Sequence, residues 1–163
     1  MKEDWGGIGR YAMAIFRDPS SDKFLWEMTG RHLTLRADGN SLSNTAFGGP
    51  IVYGHGAGDS QVGLPGNVYY YQLEKANQVF QALDGKQRQK ALLAKAPLET
   101  EVPIQGPGAS FSGIAASELS PDQRKLVEET MQVLLAPFRE EDVKETMSLL
   151  KAGGGLDKLH LAF

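Results

Sequence analysis

The stretch KFLWEMTGRHLTLRA, residues 23–37, decides how the chain is read. Its two arms, KFLWEM and HLTLRA, alternate apolar and polar residues with the two-residue period of a half-buried strand, and a glycine stands between them. If Gly30 and Arg31 form a two-residue hairpin loop, glycine takes the first central position, where a type II′ turn requires positive φ. Thr29 then faces His32, Met28 faces Leu33 and Trp26 faces Leu35, so four large apolar side chains share one face. On the reverse face Glu27 opposes Thr34 and Leu25 opposes Arg36. His32 is expected beside the turn on this more polar side, near Glu27 and Thr34. A slip of one residue would destroy the segregation.

Working outward, YAMAIF (residues 11–16) is a further strand candidate, closed by the turn-forming RDPSSD. Residues 38–67 are rich in glycine and small polar residues and read as loop, with one brief strand candidate at PIVYG. The second half is mainly helical. Leu73, Ala76, Val79, Phe80 and Leu83 recur at helical spacing after a plausible cap at Asn67, as do Leu126, Val127, Thr130, Met131 and Leu134. ALDGKQRQKALL and ELSPDQRKLVEE each carry a capping residue, Asp84 or Ser120, with glutamine three positions later, the signature of a capping box. A last helix opens in acidic REED and stops at Gly153–Gly155. The closing KLHLAF alternates Leu159 and Leu161 with His160 and Ala162, a strand pattern.

The fold class expected from this order is α+β: an antiparallel sheet from the N-terminal strands plus the C-terminal strand, packed by three or four helices from the second half. The 163 residues, 41% hydrophobic and 23% charged, suit a single soluble domain spanning 1–163. No apolar run approaches the roughly 20 residues of a membrane-spanning helix. The net charge of −3 offers no general attraction to nucleic acid or anionic membrane. Lys86, Arg88, Lys90 and Lys95 are spread around a helix without interleaved aromatics, which argues against nucleic-acid binding. With no cysteine, disulfides, thiolate metal sites and cysteine nucleophiles are excluded. The opening MKEDWGGIGRYAMAIF is not a signal peptide as written, and a cysteine-free chain suits cytosol and periplasm alike, which leaves the compartment open.

Candidate chemistry centres on three histidines. His32, His55 and His160, with Glu27 or Asp59 as an oxygen ligand, form a set that zinc or another divalent metal would accept. Their spacing matches no compact metal motif, so the idea depends on tertiary proximity. The plainer reading makes one a turn residue, one a loop residue and one a strand residue. Glu27 and His32 are the candidate acid/base pair, since a carboxylate beside an imidazole raises its pKa. A solvated polar face explains the same residues. GHGAGDSQVGLPGN (residues 54–67) exposes backbone amides but lacks the phosphate-loop pattern GxxxxGK[ST] and any GxSxG nucleophile elbow. Tyr69, Tyr70 and Tyr71 must point in different directions on a helix, placing at least one outward.

Taken together, FLWEMTGRHLTLRADG, AFGGPIVYGHG, ALDGKQRQKALL, GIAASELSPDQRKLVEETM and GLDKLHLAF resemble the domain of unknown function 3500 family, a mainly bacterial group with some eukaryotic members. The resemblance runs along nearly the whole chain and implies no activity. Where the family usually shows Gly-His-His-Leu, this chain has Gly30, Arg31, His32 and Leu33, which weakens a two-histidine ligand idea. Family members extend further at both ends and include a later His-x-His element. The resemblance therefore implies that the chain is a fragment or trimmed form of a longer family domain. Two functional readings follow. One is a module binding a small ligand or protein through the glycine-rich loop and the exposed hairpin face. The alternative is a metal-assisted or acid/base hydrolase using Glu27, His32 and His160, with His55.

Overall fold

The computed structural model describes residues 8–39, 43–54, 68–95 and 108–163. Along the chain lie strands β1 (Ala12–Phe16), β2 (Leu25–Gly30), β3 (Leu33–Asp38) and β4 (Val52–Tyr53), then helices α1 (Tyr70–Ala82) and α2 (Gly85–Ala91). Strand β5 (Ile114–Ala115), helices α3 (Pro121–Leu135) and α4 (Glu140–Ala152), and strand β6 (His160–Leu161) follow. The architecture is α+β. The chain divides into two compact units, residues 1–73 with 138–149, and residues 74–137 with 150–163.

The first unit holds a four-stranded antiparallel sheet in the order β1-β2-β3-β4. The hairpin expected at residues 23–37 forms, but its register differs from the expected one. Gly30 pairs with Leu33, Thr29 with Thr34, Met28 with Leu35 and Glu27 with Arg36, so Arg31 and His32 make the loop. Each strand residue's partner moves by two positions, which preserves side-chain parity. Trp26, Met28, Leu33 and Leu35 still share a face, joined by Met13 and Ile15 of β1. The apolar pattern is thus indifferent between the two registers, and the cross-strand pairs decide. The observed register sets the Arg36 guanidinium 3.1 Å from the Glu27 carboxylate and the Thr29 and Thr34 hydroxyls 3.2 Å apart. It also gives Gly30 a different task. A Cβ at Gly30 would fall on the Tyr11 ring, so the residue is needed small, and the positive φ of the turn, 55°, passes to His32.

Tyr53 of β4 packs edge-on against Tyr69 and Phe138, with ring centroids 5.3 and 5.7 Å away, and Phe47 lies 4.9 Å from Phe138. The buried Gln72 amide donates to the Tyr53 hydroxyl at 2.9 Å. Burial pushes the Tyr53 phenol above its ordinary value, and the Gln72 hydrogen bond works against that rise. Of the tyrosine trio, Tyr70 and Tyr71 are the exposed members.

The second unit carries the apolar core: Val79, Leu83, Ala91, Ile114, Ala116, Leu119 and Val127. Both expected capping boxes form. The Asp84 side chain accepts from the Gln87 amide and the Ser120 side chain from the Gln123 amide, while each glutamine reaches back to its cap. The C-terminal strand does not join the N-terminal sheet as expected. It pairs antiparallel with β5, Ile114 opposite Leu161 and Ala115 opposite His160, in a separate two-stranded sheet. The reason is the core: Leu159, Leu161 and Phe163 pack against the cluster that contains Ile114.

Candidate functional site

The candidate site lies within the second unit, where the apolar stripes of α1 and α3 meet the end of the chain. Helical spacing puts Ala76 and Val79 on one face of α1, and Val127, Thr130, Met131 and Leu134 on one face of α3. These residues and the run Leu159–Phe163 line a cleft of about 310 Å³. A volume near 300 Å³ is the lower end of what small-molecule sites use. No lysine, arginine, aspartate or glutamate is among the described residues that line it. The Thr130 hydroxyl donates to the Leu126 carbonyl at 2.8 Å, which settles its proton and leaves its oxygen able to accept.

The strand wall is held on one edge. The Ala116 N–H donates to the Leu159 carbonyl at 2.9 Å, and a Cβ on Gly113, whose φ is 88°, would strike the Leu161 carbonyl. Leu159 and Leu161 therefore turn their backbone groups toward β5. Past β5, Phe163 takes up Ala91–Leu93: its N–H donates to the Ala91 carbonyl and its carbonyl accepts from Leu93 N–H, both at 2.8 Å. Groups alternate along a strand, so the N–H and C=O of His160 and Ala162 point to the opposite edge. Among the described residues they have no hydrogen-bond partner.

The residues singled out from sequence are placed as follows. Glu27 lies on β2 with its carboxylate paired to Arg36. His32 is the exposed second residue of the hairpin loop. Three residues of strand, about 10 Å of extended chain, separate Glu27 from that loop. His55 and Asp59 lie outside the described residues. His160 is on β6 in the second unit, its ring 5.4 Å from that of Phe111. Lys90, first through its hydrogen bond, and His160, through its charge, hold the Glu118 carboxyl below its ordinary value. Among the described residues no group of three or more histidine, aspartate or glutamate side chains is arranged to hold a metal ion. Among them, too, no helix is long and apolar enough to cross a membrane.

The two helical stripes can be read from the sequence, but the cleft between them cannot. The stripes were legible as core faces, whereas the strand edge that completes the cleft depends on β5, which is too short to show a period.

No curated protein and no solved structure matches the chain. The family model described as Protein of unknown function (DUF3500) matches residues 3–163, and the chain belongs to that family.

Proposed function

We propose that the chain is a binding module whose second unit accepts an apolar group in the cleft between α1, α3 and the C-terminal strand. The observation that supports this most is the pairing of a mainly apolar lining, whose described residues include no lysine, arginine, aspartate or glutamate, with a few hydrogen-bonding groups at its wall. Such a site takes an uncharged apolar body and orients it by one or two polar contacts. It would reject charged ligands, because an ion brought among Val79, Val127 and Leu161 would lose its hydration without a partner.

The experiment is a methyl-detected NMR titration with cyclohexanol, an apolar body bearing one hydroxyl. Saturable shifts at Val79, Val127, Leu134 and Leu161, lost in the Ala76→Phe variant, are the expected outcome. Shifts spread over the whole surface, or unchanged in a folded Ala76→Phe protein, would contradict the proposal. The hydrolase alternative, with Glu27 and His32 as acid/base pair or His32, His55 and His160 around zinc, is tested separately. Calorimetric titration of the folded protein with zinc that releases no heat removes its metal-dependent form.

A further inference from the structure

Five consecutive residues, Leu159–Phe163, line the cleft. Side chains alternate across a strand, so a wall made of five successive residues presents an edge as well as a face. That edge is the one bearing the N–H and C=O groups of His160 and Ala162, which have no partner among the described residues. A strand edge left open beside an apolar cleft is matched by another strand.

Resting on the binding reading above, we propose that the occupant is an extended peptide. It adds to the β6 edge and inserts an apolar side chain between α1 and α3. Its backbone exchanges hydrogen bonds with His160 and Ala162. One residue in two then points toward Val79, Val127 and Met131, and the intervening side chains point away. The absence of lysine, arginine, aspartate and glutamate from the described lining residues suits a neutral backbone and an aliphatic or aromatic anchor. A small apolar molecule would fill the same space without using the edge, whereas a peptide exchanges the water on the exposed His160 and Ala162 backbone groups for directional hydrogen bonds, which is why the peptide is preferred.

The test uses a library of seven-residue peptides, random at every position, selected on the 163-residue chain and counter-selected on the Ala76→Phe variant. Leu134→Trp, at the more exposed end of the lining, replaces that variant if it does not fold. Enriched peptides should carry apolar residues at alternate positions. Binding should protect the His160 and Ala162 amide protons from exchange. The Ala162→Pro variant, which lacks one edge N–H while leaving Leu159 and Leu161 to pair with β5, should bind these peptides about tenfold more weakly, the worth of one hydrogen bond. Failure to enrich any peptide, or enriched peptides that bind Ala162→Pro and fully N-methylated versions equally well, overturns strand addition. If cyclohexanol still titrates the cleft in that event, the binding reading stands without it; if cyclohexanol also fails, both fall.

Discussion

The side-chain amides of Gln87 and Gln123 hydrogen-bond each other in both directions, at 3.1 and 2.8 Å. Each is the third residue of its own helix, and each oxygen also accepts from the backbone N–H of its own cap residue, Asp84 or Ser120, at 2.9 Å. The spare donors reach the Glu118 and Ala82 carbonyls at 3.2 and 2.7 Å. The starts of α2 and α3 are thereby locked together by one closed set of amides, in which removal of either glutamine strips partners from several groups at once.

Gln123→Ala is accordingly expected to lower stability by about 1–3 kcal/mol, more than loss of an isolated cap contact, because the Ser120 N–H and the Gln87 amide both lose a partner. The pair should couple: the double variant Gln87→Ala/Gln123→Ala costs less than the sum of the singles, by on the order of 0.5–3 kcal/mol. Urea unfolding of the four proteins measures this. Strict additivity would show that the two boxes act independently.

Each capping box was legible because its chemistry is local, an Asp or Ser followed three residues later by Gln. Their joining was not, since Gln87 and Gln123 are separated by 36 residues and meet only through the fold. The hairpin shows a different limit. Alternation placed Trp26, Met28, Leu33 and Leu35 on one face, but a shift of two leaves that face intact, so hydrophobicity could not choose the register. The choice lay in Glu27 with Arg36 and Thr29 with Thr34, and in the Tyr11 ring that reserves Gly30. β5, two residues long, has no period to read, so the C-terminal strand had no visible partner except the N-terminal sheet.

His32 holds a φ of 55°, which a side chain tolerates at a cost of about 1 kcal/mol and glycine does not feel. His32→Gly should therefore raise stability slightly, on the order of 0.5 kcal/mol after the extra chain entropy of glycine is subtracted. His32→Val, β-branched, should lower it. A thermal melt of the two variants checks the order. His32→Gly less stable than the parent would mean that the imidazole makes an interaction outweighing its backbone strain.

Arg139 grips Asp142 with two hydrogen bonds, Nε to Oδ2 at 2.9 Å and a terminal nitrogen to Oδ1 at 2.7 Å, in the first turn of α4. The Arg139 hydrogen bond, ahead of its charge, holds the Asp142 carboxyl below the usual carboxylate range. A depressed folded-state pKa means that this stabilisation is fully present above the unfolded value. It is lost as pH falls through the lower folded value. Asp142→Asn should thus melt below the parent at neutral pH, with the gap closing at acidic pH as the parent's own carboxylate is protonated. A gap independent of pH would place the effect in packing instead of charge.

Gly113 stands where φ is 88° and where a Cβ would collide with the Leu161 carbonyl, a backbone atom that cannot step aside without breaking the β5–β6 pairing. Gly113→Ala is expected to cost at least about 1–3 kcal/mol, combining the backbone penalty with the collision. The damage should be directional. Strand β6 is one wall of the cleft, so displacing Leu161 should weaken cyclohexanol binding and expose the Leu161 amide to hydrogen exchange, while the Gln87 and Gln123 side-chain amides keep their native NMR positions. Gly113→Ala that melts lower yet binds cyclohexanol with unchanged affinity would show that the cleft does not depend on how the strand is held, and would detach the binding site from the β5–β6 sheet.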